Sequence, residues 1–250
     1  MNYLYETHMH TFESSYCANL TATAVEQVRV YKKMGYTGVI VTDHLRSLNF
    51  ALSRFLRFKA LVSWKEKVKF LARGYENAKK EGDKVGLDVF FGWEFYYRGS
   101  DFLTYGLDIE FLLEHKNIVG MTIEAYSELV RKNGGYLAQA HPYCKLRIGE
   151  RETPVEPCLL DGIEVYNARR AKKTTENEKA MRFARRHDLP MQAGTDSHHR
   201  LNYGSFSGIE MDKKAESIFD IIDTIKTRKA RLVLTDGYFA HLDQEQTLAD

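Results

Sequence analysis

The sequence predicts an α/β fold, a barrel of the (β/α) kind, and three observations carry that prediction. Roughly seven short apolar runs, rich in β-branched and aromatic residues, alternate with segments of helical periodicity. Most of these runs stop abruptly at a histidine or a carboxylate, as the strands of a parallel barrel deliver polar side chains to one rim. A chain of 250 residues with 44% hydrophobic content can close such a barrel, and we expect one domain over residues 1–250.

The first strand is Tyr3-Leu-Tyr-Glu-Thr-His-Met-His10, whose alternation sends His8 and His10 out from the same face. Thr23-Ala-Val-Glu26 is a capping box for a helix to about Met34, stopped by Gly35. Residues 38–44 form a second strand ending in Asp43 and His44, and this order implies a parallel pair with a right-handed crossover. Residues 46–62 interleave Phe50, Phe55 and Phe58 with Arg54, Arg57 and Lys59, and read as an insertion beside the strand ends. Ser63-Trp-Lys-Glu66 caps a further helix running to Gly82.

Residues 87–94 make a third strand closing on Glu94, and residues 102–106 a short fourth, entered from Asp101. A helix over 122–132 ends at Gly134-Gly135, and the strand after it is stopped by Pro142 directly after His141. Residues 162–167 form the next strand, Thr175-Glu-Asn-Glu178 opens a helix to about His187, and a strand from Pro190 leads into Asp196 and His198. Ile218, Ile221, Ile222 and Ile225 mark the last helix, residues 230–235 a closing strand, and residues 244–250 a frayed tail.

Composition excludes several classes. The balance of 36 basic against 34 acidic residues leaves a net charge of +2, so no general basic field points to nucleic acid or membrane. The N-terminus carries no signal pattern and no run approaches 18 apolar residues, which predicts a cytoplasmic protein with no membrane partner. Cys17, Cys144 and Cys158 are odd in number and lack zinc-finger spacing, so they read as reduced thiols. Oligomeric state is not legible.

The ligand-type residues at the strand ends are His8, His10, His44, Glu94, Asp101, His141, Asp196 and His198. Mixed imidazole and carboxylate suits zinc, manganese or iron, and disfavours a calcium cage or an iron–sulfur cluster. Taken singly, each would be an ordinary polar residue; together, in equivalent places, they predict a metal site.

These motifs resemble those of the PHP (polymerase and histidinol phosphatase) superfamily of metal-dependent phosphoesterases. His8-Met-His10-Thr11, Thr42-Asp-His44, Gly92-Trp-Glu94, Ala140-His-Pro142, Gly162-Ile-Glu164 and Gly194-Thr-Asp-Ser-His198 follow the family's motifs in order across nearly the whole chain. The resemblance implies a distorted seven-stranded (β/α) barrel with two or three divalent ions at the strand C-termini. It makes His8, His10, Glu94 and Asp196 the first metal site, Glu94 a bridge to a second site holding His141, and His44 and His198 ligands of a third. Asp101 stands where the family often has a histidine. Ser15 and Tyr16 stand where it often has an aspartate or histidine, which weakens the third site, with Glu13, Cys17 or His199 nearby as substitutes.

The expected chemistry is attack of metal-bound hydroxide on a small phosphorylated substrate, as in the histidinol phosphatases or nucleotide phosphatases of the family. Asp43 would orient an imidazole or carry a proton, and if the third metal is missing His44, His198 or His199 would protonate the leaving group. Arg54, Arg57, Arg169 and Arg170 are candidates for gripping phosphate, with His199 beside them. Rival readings are a phosphodiesterase acting on short oligonucleotides, a bacterial tyrosine-protein phosphatase type, a metal-binding regulatory protein without turnover, and an amidohydrolase. The amidohydrolase ranks last because no lysine closes an expected strand.

Overall fold

A computed structural model describes residues 2–14, 22–45, 63–144, 153–170, 174–198 and 206–234. Among these, ten strands form a barrel-shaped sheet with helices packed outside. They are β1 (Tyr3–Met9), β2 (Gly38–Val41), β3 (His44–Leu45), β4 (Asp88–Tyr97), β5 (Ser100–Tyr105), β6 (Tyr136–Gln139), β7 (Gly162–Asn167), β8 (Met191–Gly194), β9 (Gly208–Met211) and β10 (Arg231–Val233). The order is β10-β9-β1-β2-β4-β5-β6-β7-β8, with β3 pairing beside β4. The barrel closes where the chain beyond β8 returns to β1. A parallel bridge joins Met9 to Ser197, and the backbone N–H groups of Asp196 and His10 donate to His8 and Ser197 at 2.9 and 3.1 Å.

This closure corrects one expectation. The strand expected at 230–235 is β10, and it pairs with β9, not across the barrel mouth. Antiparallel β9 lies on the N-terminal half of β1, leaving only the C-terminal end of β1 free to meet β8. The sequence reading missed β9, four residues with no ligand-type end.

The helices are α1 (Ala24–Lys33), α2 (Trp64–Val85), α3 (Ile109–Glu114), α4 (Ile123–Lys132), α5 (Thr174–Arg186) and α6 (Ile218–Lys226). Two of the three expected capping boxes are present, Thr23 with Glu26 and Ser63 with Glu66. Helix α2 overruns its expected stop at Gly82 and ends at Gly86, whose φ of 72° is the left-handed conformation glycine adopts cheaply. Thr175 is not a cap: α5 already begins at Thr174, and Asn177 in its first turn exchanges hydrogen bonds with the backbone of Asn167, tying α5 to β7. Short α3 was not expected.

Two further corrections concern strands. The run at 38–44 is broken, β2 ending at Val41 and β3 resuming at His44. Glu94 does not end its strand: β4 continues to Tyr97 and turns through Arg98 and Gly99 into β5, which is antiparallel to both neighbours. An antiparallel strand enters where its parallel neighbours leave, so Asp101, near the start of β5, reaches the same rim.

A polar chain crosses the barrel below that rim. Tyr136 Oη donates to Gln192 Oε1 at 2.9 Å, Gln192 Nε2 to Tyr105 Oη at 2.8 Å, and Tyr105 Oη to the carbonyl of Thr7 at 2.7 Å, all buried. Elsewhere the core is apolar and aromatic, including fully buried Trp93, Phe95 and Tyr126. No helix among the described residues is long and apolar enough to cross a membrane.

Candidate metal centre

Strand β1 aims His8 and His10 into the rim, and both side chains are fully buried. Their Nε2 atoms lie 3.0 Å apart. His8 Nε2 is also 3.3 Å from Glu94 Oε1, and His10 Nε2 is 3.4 Å from Asp196 Oδ1. Four donors from β1, β4 and the end of β8 thus converge on one point. Glu94 spreads its two oxygens: Oε1 faces His8 and His141, each at 3.3 Å, while Oε2 contacts His44 and stands 3.6 Å from His10.

The remaining expected ligands lie around this group. Donor atoms of His44, Glu94 and Asp101 fall within 4.8 Å of one another, as do those of His10, His44 and His198, and those of His8, His141 and Glu164. The His10 ring packs 4.3 Å from both His44 and His198. His141 and Asp196 hold φ of 27° and 53°, a left-handed backbone that costs non-glycine residues energy and tends to persist at functional positions.

Charge in the cluster is tightly coupled. Burial works to neutralise Glu94, yet the His44 and His8 imidazoles hold its carboxyl well below the usual range; Asp196 is held down likewise by His198 and His8. Burial also opposes a proton on His8, but Glu164, Asp196 and Glu94 outweigh it and raise this imidazole well above its ordinary value. His10 goes the other way, lowered by burial and by its neighbours His198 and His44. A neutral imidazole beside ionised carboxylates is the donor set a divalent cation requires. Two Nε2 atoms facing each other, flanked by buried carboxylates, fit such an ion.

Asp43 sits one layer behind. Its Oδ1 accepts the Thr11 N–H at 2.7 Å and faces His10 Nδ1 at 3.9 Å, while Oδ2 accepts the hydroxyls of Thr11, at 2.6 Å, and Ser14. Burial pushes this carboxyl up to about 6 despite those bonds. The imidazole it faces is that of His10, not that of its neighbour in sequence, His44.

Arg169 reaches the cluster, its Nη1 3.0 Å from His198 Nδ1 and 3.6 Å from Asp196 Oδ2. Arg170 is half-buried, with its charge acting on the buried thiol of Cys144. Glu13 is committed elsewhere, accepting the backbone N–H of Ala24 at the start of α1 at 2.8 Å. Arg54, Arg57, His199, Ser15, Tyr16 and Cys17 lie outside the described residues.

Sequence reasoning gave Glu164 no role. Its Oε1 lies 2.9 Å from His8 Nδ1, and its Oε2 accepts the His141 N–H at 2.9 Å and the Asn167 amide at 3.0 Å. The available signal was a carboxylate in the middle of the apolar strand β7, where an unpartnered charge is costly.

Comparison with known proteins agrees with this geometry. Residues 174–229 match the PHP_C family, described as PHP-associated. No curated protein matches the chain in sequence. Among solved structures, the chain resembles a two-domain protein from Bacteroides vulgatus containing a predicted PHP-like metal-dependent phosphoesterase, at TM-score 0.68 and 14% identity over 94% of this chain and 65% of that one. It also resembles PsfC from Pseudomonas syringae, at TM-score 0.65 and 17% identity over 99% and 97%. A third likeness is to the lesion-specific endonuclease PfuEndoQ from Pyrococcus furiosus, at TM-score 0.55 and 13% identity over 93% and 58%. The chain therefore spans less than two thirds of the Bacteroides protein and of the endonuclease. It has the PHP-like metal-dependent phosphoesterase fold. The fold is that of these proteins, and residues 174–229 carry the PHP-associated match.

Proposed function

We propose that this chain hydrolyses a small phosphate ester with divalent metal held by His8, His10, Glu94 and Asp196, with His141 and Asp101 serving a second ion and His44 and His198 a third. The observation that supports this most is the convergence of four donors from three strands beside one arginine, Arg169. When bound, such ions neutralise phosphoryl oxygens and acidify water; zinc, manganese and iron suit the donors. Glu94 faces His8 and His141 with one oxygen and His44 and His10 with the other, so it would help to hold metal on both sides. Asp43 sets a carboxylate charge 3.9 Å from Nδ1 of His10. Arg169, half-exposed above Asp196, takes a phosphoryl oxygen of the substrate, and where the third ion is absent His198 beside it passes a proton to the leaving oxygen. Arg170, and beyond the described residues Arg54, Arg57 and His199, would extend the phosphate grip, with His199 and, where the third ion is absent, His44 as further proton donors.

A phosphomonoester is our first reading of the substrate, and a nucleotide or short phosphodiester the second. Cys144 and Cys158 are both free thiols, which supports a reducing, cytoplasmic setting. The test is turnover of p-nitrophenyl phosphate, histidinol phosphate, nucleotides and bis-p-nitrophenyl phosphate by metal-stripped protein reloaded with manganese, zinc or iron. Turnover that His10→Ala abolishes is expected, with Arg169→Ala raising KM about tenfold and changing kcat less. Preference for the diester moves the substrate to the second reading. Metal uptake without turnover of any ester would sink the hydrolase and favour a metal-binding regulatory protein.

A further inference from the structure

We infer that Gly74, in the middle of helix α2, is a positioning residue for the metal centre, acting through a three-oxygen platform behind His10. The inference rests on the metal-binding reading above but not on phosphate hydrolysis.

A Cβ placed on Gly74 would lie 2.0 Å from Thr11 Oγ1, 2.2 Å from Ser14 Oγ and 2.4 Å from Asp43 Oδ2. No real side chain tolerates such distances, so the helix backbone itself is seated against these oxygens. Those three atoms form one hydrogen-bonded set, in which the two hydroxyls grip Oδ2 of Asp43. With Oδ2 occupied and Oδ1 already accepting the Thr11 N–H, the carboxylate has one orientation, which sets Oδ1 as a charge 3.9 Å from His10 Nδ1. On its other side His10 offers Nε2 to Glu94, Asp196 and His8. A helix glycine, a hydroxyl pair, a carboxylate and an imidazole thus stack in series from the outer wall to the metal cluster.

Local preference argues against glycine here. In a helix interior it is disfavoured relative to alanine, and α2 spans 22 residues with Gly74 buried near its middle. Free of tertiary contact, Gly74→Ala would stabilise the helix. Seated on the platform, the added methyl must displace Thr11, Ser14 or Asp43, and a displaced Asp43 shifts the carboxylate charge that faces His10 Nδ1 from 3.9 Å. Groups behind a metal-binding histidine typically alter metal affinity by about 10- to 100-fold when removed.

The second tight glycine of α2 supplies the control. A Cβ on Gly82 would meet the Leu87 carbonyl oxygen at 2.5 Å and Val89 at 2.6 Å, a clash with the start of β4 that touches no member of the platform.

The experiment is isothermal titration of metal-stripped protein with manganese and with zinc, with folding followed by circular dichroism. Gly74→Ala is expected to bind at least about tenfold more weakly than the unaltered chain, while Gly82→Ala lowers the melting temperature and keeps metal affinity within about twofold. Ser14→Ala relieves one clash, so Gly74→Ala with Ser14→Ala should recover part of the lost affinity, a coupling that a merely structural role would not produce. Folded Gly74→Ala with unchanged affinity overturns the inference. If Gly74→Ala does not fold, Ser14→Ala alone decides, with weakened binding expected and unchanged affinity overturning it. Because the readout is metal binding, an inactive protein whose affinity still depends on Gly74 counts against the hydrolase alone.

Discussion

The imidazole of His8 is oriented by Glu164, which holds Nδ1 at 2.9 Å and so turns Nε2 into the cluster. Both residues are fully buried, and the second carboxylate oxygen of Glu164 is already taken by the backbone N–H of His141 and the side chain of Asn167. One carboxylate therefore positions two expected metal ligands that stand 133 residues apart in the chain, His8 and His141.

Glu164→Gln keeps the shape but gives up one acceptor. The amide must aim its NH2 either at the His8 Nδ1 proton or at the His141 N–H, and donor then faces donor. Metal affinity is expected to fall about 10- to 100-fold with the fold intact. Titration calorimetry beside circular dichroism checks this, and unchanged affinity would show that His8 is held by other means.

The polar chain across the barrel makes a prediction about stability. Tyr105→Phe strands the Thr7 carbonyl and the Gln192 amide, both buried, and leaving buried polar groups unpaired costs about 1–3 kcal/mol. Urea unfolding should show a lower midpoint with an unchanged m value. A midpoint equal to that of the unaltered chain would mean that water replaces the hydroxyl.

The two described cysteines should differ in reactivity. Burial pushes the Cys144 thiol up to about 12, against a smaller opposing pull from Arg170, whereas Cys158 is exposed. The thiolate is the reacting species, so at pH 8 almost no Cys144 is competent. Iodoacetamide followed by peptide mass mapping should find Cys158 modified in the folded protein and Cys144 only after unfolding in guanidinium. Rapid labelling of Cys144 in the native state would contradict its burial.

Sequence alone determined what is local along the chain. The capping boxes at Thr23 and Ser63 are legible because the residues that bond each other lie three apart, and the strand ends at His8, His10 and Asp196 because alternation and an abrupt polar stop are read within a few residues. Where the reading failed at the end of α2, a glycine inside the helix reads as its stop: Gly82 lets the helix close on Leu87, and Gly86 ends it. Tertiary structure alone decided the antiparallel course of β5, the closure of β8 on β1, the turn of Asp43 toward His10 and the clasp of Glu164 on His8 and His141. Each of these joins residues whose spacing follows no period. Gly74 is the clearest case, since its place beside Thr11, Ser14 and Asp43 depends on the absence of a side chain, and an absent atom leaves no pattern along the chain.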